Sequence, residues 1–167
     1  MQRRRTFLTA GAAAALVAAT GGLAWRAGRA EAAPGDFPLS LTEAEWRARL
    51  TKEQFHVLRD HGTESPYSSP LDAETREGLY ACAGCGQEVY SSDTKYDSGT
   101  GWPSFWAPLS AEAVGTSTDY KLIYPRTEVH CANCGGHLGH VFDDGPQPTG
   151  KRHCLNGVAL EFRPQAA

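Results

Sequence analysis

From about residue 40 onward the hydrophobic rhythm of the chain changes once, from helical to β-type. Between residues 40 and 58 the apolar side chains Leu41, Trp46 and Leu50, then Phe55 and Leu58, recur at helical spacing. Two hydroxyl residues are followed three positions later by Glu or Gln, Ser40 by Glu43 and Thr51 by Gln54. In such a pair the hydroxyl and the longer side chain each satisfy a backbone N–H that the first helical turn leaves open. Two short helices are therefore predicted, with those apolar residues turned towards a core. Residues His61 to Glu74 carry Gly62, Pro66 and Pro70 and read as an extended arm along the surface.

Beyond Gly78 the pattern becomes short β-type runs punctuated by Gly, Asp, Asn and Pro: Gly78 to Cys82, Glu88 to Tyr90, Ser104 to Trp106, Arg126 to Cys131, His140 to Phe142, His153 to Asn156 and Val158 to Phe162. No alternation of strands with helices appears, so the predicted sheet is antiparallel. The expected fold class is mainly β, with two twisted antiparallel sheets forming a barrel-like, tent-shaped fold and the short helices packed outside.

The first 32 residues differ from the rest. Arg3, Arg4 and Arg5 precede an apolar stretch from about Ala10 to Trp25, and Ala30-Glu31-Ala32 reads as a cleavage site. Arg4-Arg5-Thr6-Phe7-Leu8 resembles the twin-arginine export signal, and Arg26 and Arg29 suit that route. The expected organisation is a leader over residues 1–32, a linker over 33–40, one domain over 41–163 and a tail over 164–167. An exported, periplasmic location follows, with membrane anchorage as the alternative should the leader stay attached.

Without its first 32 residues the chain keeps 11 Lys and Arg against 18 Asp and Glu, a net charge near −7. No basic stripe remains to neutralise a row of phosphates, so nucleic-acid binding and stable contact with anionic lipid are disfavoured.

Cysteine spacing adds chemistry. Cys82-Ala83-Gly84-Cys85-Gly86 and Cys131-Ala132-Asn133-Cys134-Gly135 are two CxxCG elements with 45 residues between Cys85 and Cys131. Two residues between thiolates let one turn present both sulfurs to one metal, and four thiolates close a tetrahedron around Zn²⁺ with no position left for substrate. One structural zinc ion is the expected cofactor. Two disulfides, a thioredoxin-like redox role and an iron site compete, but the last is rarer and the redox role lacks its strand–helix frame.

Cys154 is left over, in Lys151-Arg152-His153-Cys154-Leu155-Asn156. A free thiol is a weak nucleophile at neutral pH because it is mostly protonated. Arg152 and His153 can supply positive potential to it, and His137 and His140, in the run HLGH, can move protons near neutral pH. Each feature alone has a bland reading: an inert thiol, a metal pair, a capped loop.

At this point several strings together resemble the B-type methionine sulfoxide reductases: Gly99-Thr100-Gly101-Trp102-Pro103-Ser104-Phe105, Arg126-Thr127-Glu128-Val129, His137 through Pro146, Arg152 through Asn156, and the segments EWRARL and VLRDHGTE. The resemblance runs from about Leu41 to Phe162. It implies that Cys154 attacks the sulfur of methionine-R-sulfoxide and becomes a sulfenic acid. It also implies that Trp102 faces the substrate methyl group, that Phe142 and Arg152 line the substrate site, and that His137, His140 and Asn156 hold the oxygen side, with a histidine as proton donor. Oxidised peptides or proteins would be the substrates and a monomer the expected form.

Two departures from the resembled pattern matter. Many such reductases carry a second, resolving cysteine where this chain has Thr100, so a thioredoxin-like protein or a small thiol is expected to regenerate Cys154 directly. His153 stands where an aromatic residue is usual. A strand neighbour of Cys154 faces the opposite way, so space-filling is preferred over a charge role for it. The rival function is a zinc-dependent binding module, which would need nothing at Cys154.

Overall fold

The structure is a computed structural model that describes residues 37–166, so the expected leader and the first half of the linker lie outside the described residues. Among the described residues no helix is long and apolar enough to cross a membrane.

Helix α1 spans Glu43–Arg49 and α2 spans Lys52–Leu58. The cap of α2 is the expected one: Gln54 N–H donates to the Thr51 hydroxyl, and Thr51 N–H donates to Gln54 Oε1 at 3.0 Å. The cap of α1 is a correction. Thr42 and Glu45 form it, two residues beyond the expected Ser40 and Glu43. That placement leaves Leu41 just ahead of the cap and Trp46 one turn inside, and both pack on the core as a hydrophobic staple requires. Trp46, Leu50, Phe55 and Leu58 are all buried, as their spacing predicts.

Among the described residues nine strands form two antiparallel sheets. The smaller has the order β2-β1-β9, with β1 Gly78–Cys82, β2 Glu88–Ser91 and β9 Leu160–Pro164. The larger has the order β3-β4-β8-β7-β6-β5, with β3 Lys95–Tyr96, β4 Ser104–Phe105, β5 Val114–Asp119, β6 Arg126–Cys131, β7 His137–Phe142 and β8 Arg152–Leu155. The mainly-β expectation therefore holds. Differences from it are local. The sequence of β5, VGTSTD, has no apolar face and predicts no strand: it is an edge strand with every residue partly or fully exposed. β7 begins at His137 rather than His140, and residues 157–159 form a single 3₁₀ turn before β9 instead of opening the strand.

The core lies under both sheets. Tyr80 of β1 meets Phe105 of β4 edge-on at 4.9 Å, and Tyr90 of β2 meets the same ring at 4.7 Å, so three aromatic rings join the two sheets. All three are fully buried, and each such side chain contributes about 1.5–3 kcal/mol through the water it excludes. Helix α2 packs on β7 and on the turn Gly157–Ala159, closing one side of the core.

One irregularity positions the chemistry. Along β6 and β7, Val129 pairs with Gly139 but His130 pairs with His137, so Leu138 is an extra residue in the ladder. On a regular strand His137 and His140, three apart, would face opposite sides. The slip restores them to one face, with ring centroids 5.2 Å apart, and sends Leu138 into the core, where it is fully buried.

Candidate active site and metal centre

Side chains at paired positions in neighbouring strands share a face, and one such row crosses the large sheet: Ser117, Glu128, His140, Cys154 and Ser104. Phe142 and Arg152 form a second pair beside it. A small cleft of about 140 Å³ opens over these rows, lined by Thr63, Trp102, Arg126, Gly139, His140, Phe142, Cys154, Leu155 and Asn156. Of the expected site residues, Cys154, His140, Asn156, Trp102 and Phe142 thus meet in one place. Arg152 stands at its edge, its guanidinium 4.4 Å over the Phe142 ring and paired with both Asp144 oxygens at 2.9 Å. His137 is one ring further in, edge-on against His140 and not on the cleft wall.

The Cys154 thiol is partly exposed, with the Thr100 hydroxyl 3.9 Å away. Burial pushes the thiol above its ordinary value, while Thr100, Arg152 and Ser104 pull it back in part. At rest it is therefore protonated at neutral pH, a correction to the expectation that the adjacent cations hold it as thiolate. His153 gives it no help. It faces away from Cys154 and is buried, with Nδ1 2.9 Å from the Tyr90 hydroxyl. Burial, with Lys151 nearby, lowers its imidazole to about 4, so it is neutral and fills space.

Both other histidines have a carboxylate partner. His140 Nε2 donates to Asp119 Oδ2 at 2.7 Å, and Arg126 binds the same oxygen at 2.5 Å. Burial works against the Asp119 charge, but the Lys121 N–H, His140 and Arg126 together hold it at about 2. His137 Nδ1 donates to Glu128 Oε1 at 2.7 Å, His61 Nδ1 contacts that oxygen at 2.9 Å, and Ser117 donates to Glu128 Oε2 at 2.5 Å. Burial would raise the Glu128 carboxyl, yet these three bonds keep it well below the usual carboxylate range. Burial also lowers His137 and His140, more than their carboxylate partners raise them. Once protonated, each ring is a strong acid aimed by a fixed partner. The Nε2 atom of His137 is buried with no hydrogen bond.

Asn156 sits where the chain leaves β8 for the small sheet. Its Nδ2 donates to Leu138 O at 3.1 Å and its Oδ1 accepts from Glu64 N–H at 3.0 Å. Trp102 Nε1 donates to Glu64 O at 3.2 Å. Arg126, Thr63, Glu64, Asp119 and Glu128 were not singled out in the sequence. A usable signal existed for two of them: Arg126 and Glu128, two apart in a strand ending at a cysteine, put opposite charges on one face.

The four paired cysteines gather at the far end of β6, about 17 Å from Arg126 at the rise of an extended strand. Their sulfurs are not bonded to one another: Cys82 and Cys134 stand at 3.8 Å, Cys85 and Cys131 at 3.5 Å. A tetrahedral ion with Zn–S bonds of about 2.3 Å spaces its sulfurs about 3.8 Å apart, so the cluster fits a metal ion without rearrangement. Gly86 and Gly135, each just after a second cysteine, take the positive φ values of 77° and 66° that fold the turn back under the sulfurs. A Cβ on Gly135 would also lie 2.3 Å from the Phe37 ring.

The SelR domain family matches residues 50–164 of the chain. Relatives named peptide methionine sulfoxide reductase MsrB include one from Agrobacterium fabrum, 52% identical over 75% of this chain and 93% of its own length. Others come from Methanosarcina barkeri, 54% identical over 73% of this chain and 86% of its own, and from Leifsonia xyli, 51% identical over 81% and 98%.

Proposed function

The chain belongs to the SelR-domain family of peptide methionine sulfoxide reductases and is an oxidoreductase; from that premise we propose that it reduces the R epimer of peptide-bound methionine sulfoxide through a sulfenic acid on Cys154. The observation that carries the reading is the mixed lining of the cleft. Cys154 shares it with Trp102 and Phe142, whose rings suit a methyl group, and with His140 and Asn156, whose polar atoms suit an oxygen. A chiral sulfur can place methyl and oxygen correctly in only one configuration while still showing its lone pair side to Cys154.

As the Cys154 sulfur attacks the sulfoxide sulfur, the thiol proton passes to the sulfoxide oxygen; that hydroxyl then moves onto the Cys154 sulfur, so that the transient S–S bond and the substrate S–O bond both break and methionine leaves. The oxygen remains on Cys154 as S–OH, and the hydrogen it carries is the one the thiol gave up. A protonated resting thiol therefore supplies what the oxygen needs, and His140, with His137 behind it, moves that hydrogen across. General acid help of this kind is worth typically ~10² to 10⁴-fold. An external thiol then attacks the sulfenic sulfur and releases water, and a second thiol frees Cys154 and leaves as a disulfide. Thr100 cannot replace the first of these, since a hydroxyl forms no S–S bond, and the other four cysteines of the chain lie together in the metal centre.

Zinc is the ion we assign to Cys82, Cys85, Cys131 and Cys134; when bound it braces the two turns and, with four thiolates around it, has no open position for substrate. Residues 1–32 are assigned to export on the strength of Arg4-Arg5-Thr6-Phe7-Leu8 ahead of the apolar stretch. Periplasmic protein whose N-terminal sequence starts near Ala33 is the expected result.

The deciding experiment is Cys154→Ser assayed on separated R and S sulfoxides, with metal content measured on the same preparation. Wild-type protein should consume the R epimer only, and the variant should keep its zinc and lose turnover. Turnover of S, or activity surviving in the variant, would refute the assignment.

A further inference from the structure

Two residues that line the cleft, Trp102 and Asn156, are both held by one residue of the arm. Glu64 makes four hydrogen bonds, two from its backbone and two to its side chain. Its N–H donates to Asn156 Oδ1 at 3.0 Å, and its carbonyl accepts from Trp102 Nε1 at 3.2 Å. Its carboxylate accepts from Gly157 N–H at 2.6 Å and from Val158 N–H at 2.9 Å. Those two N–H groups open the 3₁₀ turn that follows Asn156, where the turn itself provides no acceptor.

We propose that Glu64 is a positioning and specificity-determining residue: its carboxylate clamps the arm to the 157–159 turn, and its peptide unit thereby sets the gap between Trp102 and Asn156. This rests on the reading of the cleft as a sulfoxide pocket. The close approach is built in. A Cβ on Gly157 would lie 2.0 Å from Ser69 Oγ, so the arm's Ser69 side chain rests directly on the backbone of the turn, where only glycine leaves room for it. The preceding arm residue, Thr63, is itself part of the cleft wall. Further along, Tyr67 N–H donates to Gly101 O at 2.7 Å, which ties the arm a second time to the loop carrying Trp102.

The consequence is a fixed spacing between the Trp102 ring, which meets the methyl group, and Asn156, on the oxygen side. A slot of this kind separates ligands differing by one methylene about 10- to 200-fold when its walls are fixed, and misplacement by about 1 Å costs on the order of 10²-fold in rate. In Glu64→Gln an amide N–H group faces one of the two backbone N–H donors. One clamp bond becomes a repulsion, and the gap widens or tilts while the fold's buried apolar residues stay in place.

The test compares wild type, Glu64→Gln and Glu64→Asp on R-methionine sulfoxide, S-methionine sulfoxide and R-ethionine sulfoxide, with zinc content and circular dichroism as the check on folding. The expected result is a KM for R-methionine sulfoxide raised about tenfold with kcat within about threefold. The methyl-over-ethyl and R-over-S ratios of kcat/KM should each fall about tenfold, less in the Asp variant, which keeps the charge. A folded, zinc-loaded Gln variant with both ratios unchanged would overturn the proposal even if its rate were lower. So would failure of both variants to fold, which would make Glu64 a structural staple alone. A wild-type enzyme without R preference would instead refute the pocket reading itself.

Discussion

Replacing His153 by Phe separates what this side chain does for the fold from what it does for Cys154. Its imidazole is buried and neutral, with Nδ1 hydrogen-bonded to the Tyr90 hydroxyl at 2.9 Å. Burial lowers it to about 4 from an unfolded value of 6.5. A group whose folded value is depressed gives stability that is present above the unfolded value and lost as pH falls towards the folded one, because the unfolded chain takes up the proton first. Between pH 7.5 and pH 5.0 these two values remove about 2 kcal/mol from the wild-type protein. Phenylalanine fills the same space and does not titrate, but it leaves the Tyr90 hydroxyl buried without a partner, at a cost of about 1–3 kcal/mol. Urea unfolding of both proteins across that pH range should therefore show the variant less stable at pH 7.5 and the gap closing by about 2 kcal/mol at pH 5.0. Acid effects common to both proteins, including those on the zinc thiolates, cancel in the difference. Turnover of His153→Phe should stay within about twofold of wild type. A stability gap that stays constant with pH would show that the ring is not held neutral, and a tenfold loss of turnover would restore a charge role beside Cys154.

Three further expectations concern separate parts of the molecule. Glu128→Ala removes the shared acceptor of His137, His61 and Ser117 and should cost about 3 kcal/mol, read as a drop of about 10 °C in Tm; a change under 3 °C would mean those bonds contribute little. Cys131→Ser, or treatment with a strong chelator, should release the metal and abolish cooperative unfolding at 37 °C, followed by metal analysis and circular dichroism; a zinc-free protein that still melts cooperatively at the wild-type temperature would refute the structural role. Thr100→Cys places a thiol at a side chain now 3.9 Å from the Cys154 sulfur. One turnover without reductant should then leave a disulfide, detected as a mass two hydrogens lower, whereas a persisting sulfenic acid would show that the loop cannot present the second sulfur.

Much of the scaffold was legible in residue order. The α2 cap, the inward faces of both helices, most of the strands and the four-sulfur cluster follow from spacing, because each depends on neighbours within a few positions. Cys154, Trp102, His140, Asn156 and Phe142 were also named in advance, through strings resembling a known family. What escaped was set by pairing between distant strands. β5 carries no apolar alternation, yet Asp119 at its end orients His140. Glu64 acts through its peptide unit, which no side-chain pattern records. The cationic neighbourhood of Cys154 promised an ionised sulfur, but flanking residues on a strand alternate between faces, and burial outweighs Arg152 alone.

The extra residue at Leu138 ties one of the two paired histidines to the distant four-cysteine knuckle. The chain passes from Cys134 into β7 through only two glycines, so the point at which the knuckle hands the backbone to the sheet decides the phase of His137. Were that anchor released, β7 could slide back by one position at its start and heal the ladder. His140 and Cys154 would keep their places, held by pairing to β8, while His137 would swing to the reverse side and Leu138 into its place. The hold of the four-sulfur knuckle on the start of β7 thus decides which imidazole stands second in line, although the knuckle lies a strand's length from the cleft.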